Sequence, residues 1–425
     1  MKAQIQGPQS LNGRISAPGS KAYTHRALVA SLLSEGETTT RGPSWCDDAI
    51  ATLRAIHALG VDVLVEDDTL VSQGLGRVQQ RSDTAIDCGE SGMTLRLLTA
   101  VAATSTKPIK LRGSASLGKR PQTPLSSSLK ELGASVSTRI TSEGFELEVT
   151  GPLKGGETWI EGNVSSQFVS GLLFAAPLAQ SDVTIHVAQR LESRPYAELS
   201  IDVLQKHGIV IEDHGNTFHV PAPQKYLPAH HKVPGDFSSV AFLVSGVGIA
   251  GDEITVTGVS DYRYEPDVAI VKILDKAGAD TQWDETGVTV KRKRLTGFEF
   301  DARDNPDLVP SLTVLGAFAD GESEITGVRR LRYKETNRLV SVPSELAKMG
   351  AKIAVGDDRI TIQGTDSLQG STFDSWGDHR VAMACRIAAL SAKGRSSLYQ
   401  AEAISKSYPG FFRDLAKLGV QLDVE

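Results

Sequence analysis

The residues of this sequence that invite chemistry are cations set where a folded core has no use for them. Lys21 and Arg26 stand in the opening turns of an apolar helical run, Lys21-Ala22-Tyr23-Thr24-His25-Arg26-Ala27-Leu28. A lysine there opposes the positive end of the helix macrodipole, so it is placed for a ligand and not for stability. Arg96 repeats the pattern in Met93-Thr94-Leu95-Arg96, and Arg380 repeats it in Asp378-His379-Arg380-Val381. Lys119-Arg120-Pro121, Lys334-Glu335-Thr336-Asn337-Arg338 and Lys406 add cations in loops or at helix starts. Arginine suits bidentate recognition of carboxylates and lysine suits phosphate, so the pattern points to small, multiply anionic ligands. Two carboxylates lie among these cations, Asp307 at a helix N-cap and Glu335 beside Lys334. Either could act as a general acid or base. Capping and solvation are the competing uses of such residues, and the recurrence of a cation at turn after turn favours a ligand.

Other chemistries find no support. No GxSxG elbow is present, and no cysteine stands near a plausible histidine base, so nucleophilic catalysis is not expected. Neither a P-loop nor a GxGxxG occurs. Cys46, Cys88 and Cys385 are odd in number and far apart, with no CxxC pair, so neither a disulfide framework nor structural zinc is expected. No metal or cofactor is called for. His230-His231 reads as a solvated pair. The net charge of −6 argues against nucleic acid or a membrane surface as partner. Residues 1–13 lack the apolar run of a signal peptide. The most apolar stretch, residues 240–250, is far short of the roughly 20 residues that span a bilayer. A cytoplasmic enzyme is the expectation.

The elements that must position these groups show as a repeat. With 425 residues the chain is too long for one ordinary core, and two domains of roughly 200 residues are expected. A helix ending in Gly and followed by a short strand recurs at Gly60, Gly133, Gly208, Gly278, Gly350 and Gly419, at intervals of roughly 70 residues. Each glycine sits where a helix C-cap needs a left-handed residue. A second series at the same period is a Gly-, Ser- or Asp-rich turn opening an apolar helix. Its members are Gly19-Ser20-Lys21, Gly89-Glu90-Ser91-Gly92, Ser165-Ser166-Gln167, Gly235-Asp236-Phe237, Asn305-Pro306-Asp307 and Gly377-Asp378-His379. Helices apolar nearly all round should be buried. The pattern is six βαβαββ units, three per domain. Residues 14–232 would form a domain inserted into one made of 1–13 and 233–425, with the return hinge at Lys232-Val233-Pro234-Gly235. The last copy stops after its first strand, and residues 2–6 would complete it. Parallel buried helices would converge their positive ends on one face of each domain, and two such faces across a closing cleft would trap anions.

Taken together, Pro18-Gly19-Ser20-Lys21 with Arg26, residues 89–96, Lys119-Arg120-Pro121, Ser165-Ser166-Gln167, Pro306-Asp307, residues 334–339, Asp378-His379-Arg380 and Lys406 resemble the 5-enolpyruvylshikimate-3-phosphate synthases (3-phosphoshikimate 1-carboxyvinyltransferases). The resemblance covers essentially the whole chain. It implies the α/β (α+β), two-domain enolpyruvyl transferase fold. The implied reaction transfers the enolpyruvyl group of phosphoenolpyruvate to the 5-hydroxyl of shikimate 3-phosphate, through a tetrahedral intermediate, with release of phosphate. Such enzymes are monomers that use no metal, no cofactor and no covalent enzyme intermediate, and glyphosate mimics their phosphoenolpyruvate. By motif, Ser165, Ser166 and Ser193 would hold the shikimate phosphate, beside Lys21 and Ala22. Arg26 would hold its carboxylate, and Tyr196 and Gln167 would meet the ring. Lys21, Gly92, Arg120, Gln167, Arg338, Arg380 and Lys406 would surround phosphoenolpyruvate. Asp307 and Lys334 would address the 5-hydroxyl, with Glu335 as the proton source for the methylene carbon and Lys21 as the next candidate.

Three residues depart from the family pattern: Ala22 for a serine, Glu90-Ser91-Gly92-Met93 for Asn-Ala-Gly-Thr, and Arg330 for an asparagine that meets the phosphate. The sister enzyme, UDP-N-acetylglucosamine enolpyruvyl transferase, carries a loop cysteine shortly before its Arg-Pro pair, whereas residues 113–121 contain none. A non-catalytic anion- or RNA-binding protein on the same repeat is the other alternative, disfavoured by the acidic net charge and by Asp307 and Glu335.

Overall fold

The computed structural model describes residues 1–142, 144–260 and 265–425. The repeat is present as six four-stranded sheets built to one plan. In one of them Gly156–Glu161 runs parallel to Val183–Ala188, and the crossover between them is the buried helix Ser166–Ala175. A second helix, Arg194–Lys206, then leads to Glu212–Asp213 and Thr217–Val220, and the latter lies antiparallel on Val183–Ala188. The other five sheets have the same order, one parallel pair followed by two antiparallel ones. All six recurring glycines have positive φ. At Gly60 the cap closes with Gly60 N–H bonded to the His57 carbonyl and Val61 N–H to that of Ile56, the paired bonds of a left-handed C-cap.

Three of the sheets are closed by strands from far along the chain. Lys2–Gly7 pairs antiparallel with Gly394–Tyr399 and with Asp423–Val424, which supplies the strand that the last repeat lacks. Leu11–Ser16 pairs parallel with Gly251–Thr257. The described residues divide into two units, Met1–Pro18 with Pro234–Glu425, and Gly19–Val233. The first crossing therefore falls at Pro18 and not at residue 13, because residues 14–16 are held in the Leu11–Ser16 ladder. The return strand His230–Lys232 pairs with Thr39–Arg41 in the inserted unit. Strand alternation turns His231 inward, where it is buried and not solvated. Its ring nitrogens reach His207 Nε2 at 2.9 Å and the Tyr23 hydroxyl at 3.1 Å. Burial, with help from His207 and Lys206, pushes its pKa down to about 3.

Each unit is centred on three helices buried on every side. Phe237–Ala250, Val309–Phe318 and His379–Ser391 pack on one another in one unit. In the other unit Gly92–Ala102 packs between Lys21–Leu33 and Ser166–Ala175. Close approach is allowed by small residues. A Cβ at Gly171 would stand 2.9 Å from the Arg96 carbonyl oxygen on the neighbouring helix, so only glycine fits there. The outer helices are amphipathic; Ala269–Lys276 buries Ile270, Val271, Ile273 and Leu274 and leaves its lysines outside. Among the described residues no helix is long and apolar enough to cross a membrane, and no His/Cys/Asp/Glu group is suited to a metal. The three cysteines are free and buried.

Ile5, in the Lys2–Gly7 strand, is 3% exposed. Ile5→Ala should cost about 2–4 kcal/mol, as for any core aliphatic, although residues this near a chain end are usually inert. The shift of the urea midpoint at constant slope measures it.

Candidate active site

The catalytic candidates of the terminal unit collect at the starts of its buried helices. Asp307 lies in the turn Pro306–Leu308, just before Val309–Phe318. Its Oδ1 receives Lys334 Nζ at 3.1 Å and Arg338 Nη1 at 2.9 Å, and Oδ2 faces Arg380 Nη2 at 3.3 Å. Arg338 is the hub of this network. Buried at the start of Arg338–Ala347, it also meets Glu335 Oε2 at 2.6 Å and both oxygens of Asp378, at 2.8 and 3.1 Å. Asp378 caps the next helix by accepting from Arg380 N–H. Arg380 in turn donates to the carbonyls of Ser238 and Asp307. Lys406 donates to the Gly377 carbonyl at 2.7 Å, on the turn before Asp378. Six sequence-predicted residues, Asp307, Lys334, Glu335, Arg338, Arg380 and Lys406, are thus brought to one place.

Electrostatics divides their roles. Burial by itself would raise the Asp307 carboxyl, but Arg380, Lys334 and Arg338 together hold it well below the usual range. It is ionised, as its place at a helix start suggested. The reason is different: no backbone N–H caps it, and three cations do the work. Lys334 is pushed down to about 8, first by burial and then by Arg338 and Arg330, against the pull of Asp307 and Glu335. Two arginines and two carboxylates surround it, so burial is what tips the balance, and the charge of an anionic ligand would offset that. Arg330 is buried and donates to the Arg303 carbonyl.

The inserted unit holds a second set. Gly92 opens the helix Gly92–Ala102 behind its N-cap Ser91. A Cβ there would stand 2.9 Å from Arg120 Nη1 and 3.6 Å from Gln167 Oε1, which brings these three predicted residues together. Gln167 Oε1 and Ser165 Oγ accept from Arg96 Nη1 at 2.7 and 3.3 Å, and Pro121 O accepts from Nη2. Ser165 caps the helix that Ser166 opens. Lys21 Nζ pairs with Asp48 Oδ2 at 3.0 Å. Glu90 is tied to Ser116 Oγ at 3.0 Å. Ser193 takes the left-handed conformation before the helix that carries Tyr196.

Arg26 belongs to the same unit. It is fully buried, and its guanidinium bonds to the carbonyls of Ala22 and Tyr196 and to the hydroxyls of Ser170 and Ser200. It supports the Lys21 turn and the Tyr196 turn from beneath. Asp48 and Asp267 were missed by sequence reasoning. Asp267 accepts from Asn305 and Ser238, and burial, with the Asp307 charge adding, raises it to about 6. Its signal was available: Pro266-Asp267 opens a 3₁₀ turn as Pro306-Asp307 does.

The sequence profile of EPSP synthase (3-phosphoshikimate 1-carboxyvinyltransferase) matches residues 5–415. The chain belongs to the EPSP synthase family. The 3-phosphoshikimate 1-carboxyvinyltransferase of Methanosarcina acetivorans is 39% identical over 97% of this chain and 97% of its own. That of Halobacterium salinarum is 39% identical over 98% of both. A solved EPSP synthase of Acinetobacter baumannii superposes with a TM-score of 0.84 at 25% identity, covering 100% of this chain and 99% of that one. The fold is therefore the two-domain enolpyruvyl transferase fold. The EPSP synthase reaction, enolpyruvyl transfer from phosphoenolpyruvate to shikimate 3-phosphate in the shikimate pathway, is this enzyme's reaction.

If Lys334 acts as a cation, kcat/KM should fall as pH rises through about 8, where the free enzyme loses that proton. Lys334→Arg should keep some activity and move that limb upward by two units or so, read from a pH–rate profile.

Proposed function

We propose that the 5-hydroxyl of shikimate 3-phosphate adds to C2 of phosphoenolpyruvate while Glu335 protonates the methylene carbon. The hydroxyl oxygen forms the new C–O bond, and its proton leaves along the hydrogen bond to Asp307. The tetrahedral adduct then breaks its C2–O bond to phosphate, which leaves with the proton taken up at Asp307, and the methyl group returns a proton to Glu335 to restore the double bond. The adduct carries two phosphates and two carboxylates, so fixed cations are the main means of stabilising it. Lys21, Gly92, Arg120, Gln167, Arg338, Arg380 and Lys406 receive phosphoenolpyruvate in this reading. Lys21, Ala22, Arg26, Ser165, Ser166, Gln167, Ser193, Tyr196, Asp307 and Lys334 receive shikimate 3-phosphate. The enzyme works as a cytoplasmic monomer in this reading.

One observation carries the division of labour: the Asp307 carboxylate is shared by Lys334, Arg338 and Arg380, while Glu335 meets Arg338 at the edge of the same hub. A carboxyl so strongly ionised at rest enters the reaction as the acceptor of the hydroxyl's hydrogen and not as the proton donor to carbon. Phosphate should be released on mixing phosphoenolpyruvate with shikimate 3-phosphate and not with UDP-N-acetylglucosamine. Release with the sugar nucleotide alone would overturn the reading.

Asp307→Asn and Glu335→Gln should each lower turnover by roughly 100-fold or more while substrate binding survives. Glu335→Gln should also slow exchange of solvent deuterium into the methylene group, and near-normal exchange would leave Lys21 as the next donor to test. Glyphosate should compete with phosphoenolpyruvate. In Gly92→Ala the new methyl forces Arg120 to shift. It should weaken glyphosate more than substrate, and equal weakening in inhibition kinetics would remove the steric argument.

A further inference from the structure

Two rungs join the helices Lys21–Leu33 and Asp47–Ala58. The outer rung is the Lys21–Asp48 ion pair. One turn further along both helices, His25 Nδ1 meets Thr52 Oγ1 at 2.6 Å, and both residues are fully buried. From Thr52 the contacts continue to a third helix. Thr52 Oγ1 lies 2.6 Å from Thr94 Oγ1, and Thr94 Oγ1 donates to Ser91 Oγ at 2.7 Å. Ser91 is the N-cap whose next residue, Gly92, borders Arg120 and Gln167.

The direction of every hydrogen bond follows from counting protons. Each hydroxyl has one hydrogen to give. Thr94 spends its hydrogen on Ser91, so Thr52 must donate to Thr94. Thr52 then has none left for His25 and can only accept, so His25 must carry its proton on Nδ1. The alternatives to this chain are the 3.5 and 3.4 Å contacts of the two threonines to the Asp48 carbonyl, which are too long to compete. The opposite histidine tautomer would leave two oxygens 2.6 Å apart with no hydrogen between them. Lys21 and Arg26 flank the ring, and with burial they hold it neutral.

We propose that Thr52 is a positioning residue, holding the Ser91–Gly92 turn in register with Lys21 through a one-way chain from His25 Nδ1 to Ser91 Oγ. It touches no substrate. It acts by fixing the helix start on which Arg120 and Gln167 converge, so its loss loosens one pocket without removing a charge. The proposal rests on the reading that Gly92, Arg120 and Gln167 receive phosphoenolpyruvate.

Thr52→Val keeps the shape and removes the hydroxyl, whereas Thr52→Ser keeps the hydroxyl. The valine variant should raise the KM for phosphoenolpyruvate about five- to tenfold, the worth of one or two lost hydrogen bonds, with kcat and the KM for shikimate 3-phosphate nearly unchanged. The serine variant should restore the wild-type value. A valine variant that melts earlier but keeps its KM would show a merely structural role and overturn the proposal. So would a serine variant as impaired as valine. Nitrogen-15 NMR of His25 in the unaltered enzyme should show the Nδ1–H tautomer; the Nε2–H form would overturn the chain even if the valine variant fails to fold. The pocket reading is tested apart by Arg120→Ala, and a rise in the KM for shikimate 3-phosphate alone would fail that reading and leave the tautomer result standing.

Discussion

A helix buried along its whole length can satisfy its first amides only at its very start, and six such helices govern where this molecule can be polar. Five of them close that end with a side chain, namely Ser20, Ser91, Ser165, Asp236 and Asp378, each accepting a backbone N–H. The sixth, Val309–Phe318, has no side-chain cap. It begins from a 3₁₀ turn containing Pro306 and has Pro310 at its second position, so it has fewer N–H groups to satisfy. The carboxylate that would have capped it, Asp307, is left for the cations. The departure from the common pattern falls on the residue to which the chemistry is assigned.

The same constraint explains how so many like charges are tolerated near a core. Arg338 is almost fully buried, yet three carboxylates meet it, so no charge is left without a counter-charge. Lys334 shows the limit of that balance, because burial and its arginine neighbours outweigh its two carboxylates.

The architecture was legible because the repeat writes its punctuation in residue types. Glycine at each helix end and serine or aspartate at each buried helix start are local signals, and all six copies fold accordingly. The ion network around Asp307 was legible as a set of residues but not as a geometry. His231 was misjudged, and the packing of Arg26 went unseen, for one reason: their partners are remote in sequence. Tyr196 and Ser170 cover Arg26, and Tyr23 and His207 cover His231. No local pattern reports a partner supplied by another repeat. Asp267 was missed because its turn opens an outer helix and not a buried one.

The strand order also sets a timetable for synthesis. The inserted unit is one unbroken stretch, and its last ladder closes when the His230–Lys232 strand reaches Thr39–Arg41. It can therefore finish folding while the rest of the chain is still being made. The other unit is split around it, and Lys2–Gly7 finds its neighbours only in Gly394–Tyr399 and Asp423–Val424. A strand made before the inserted unit is thus paired only after it, and the split unit closes second.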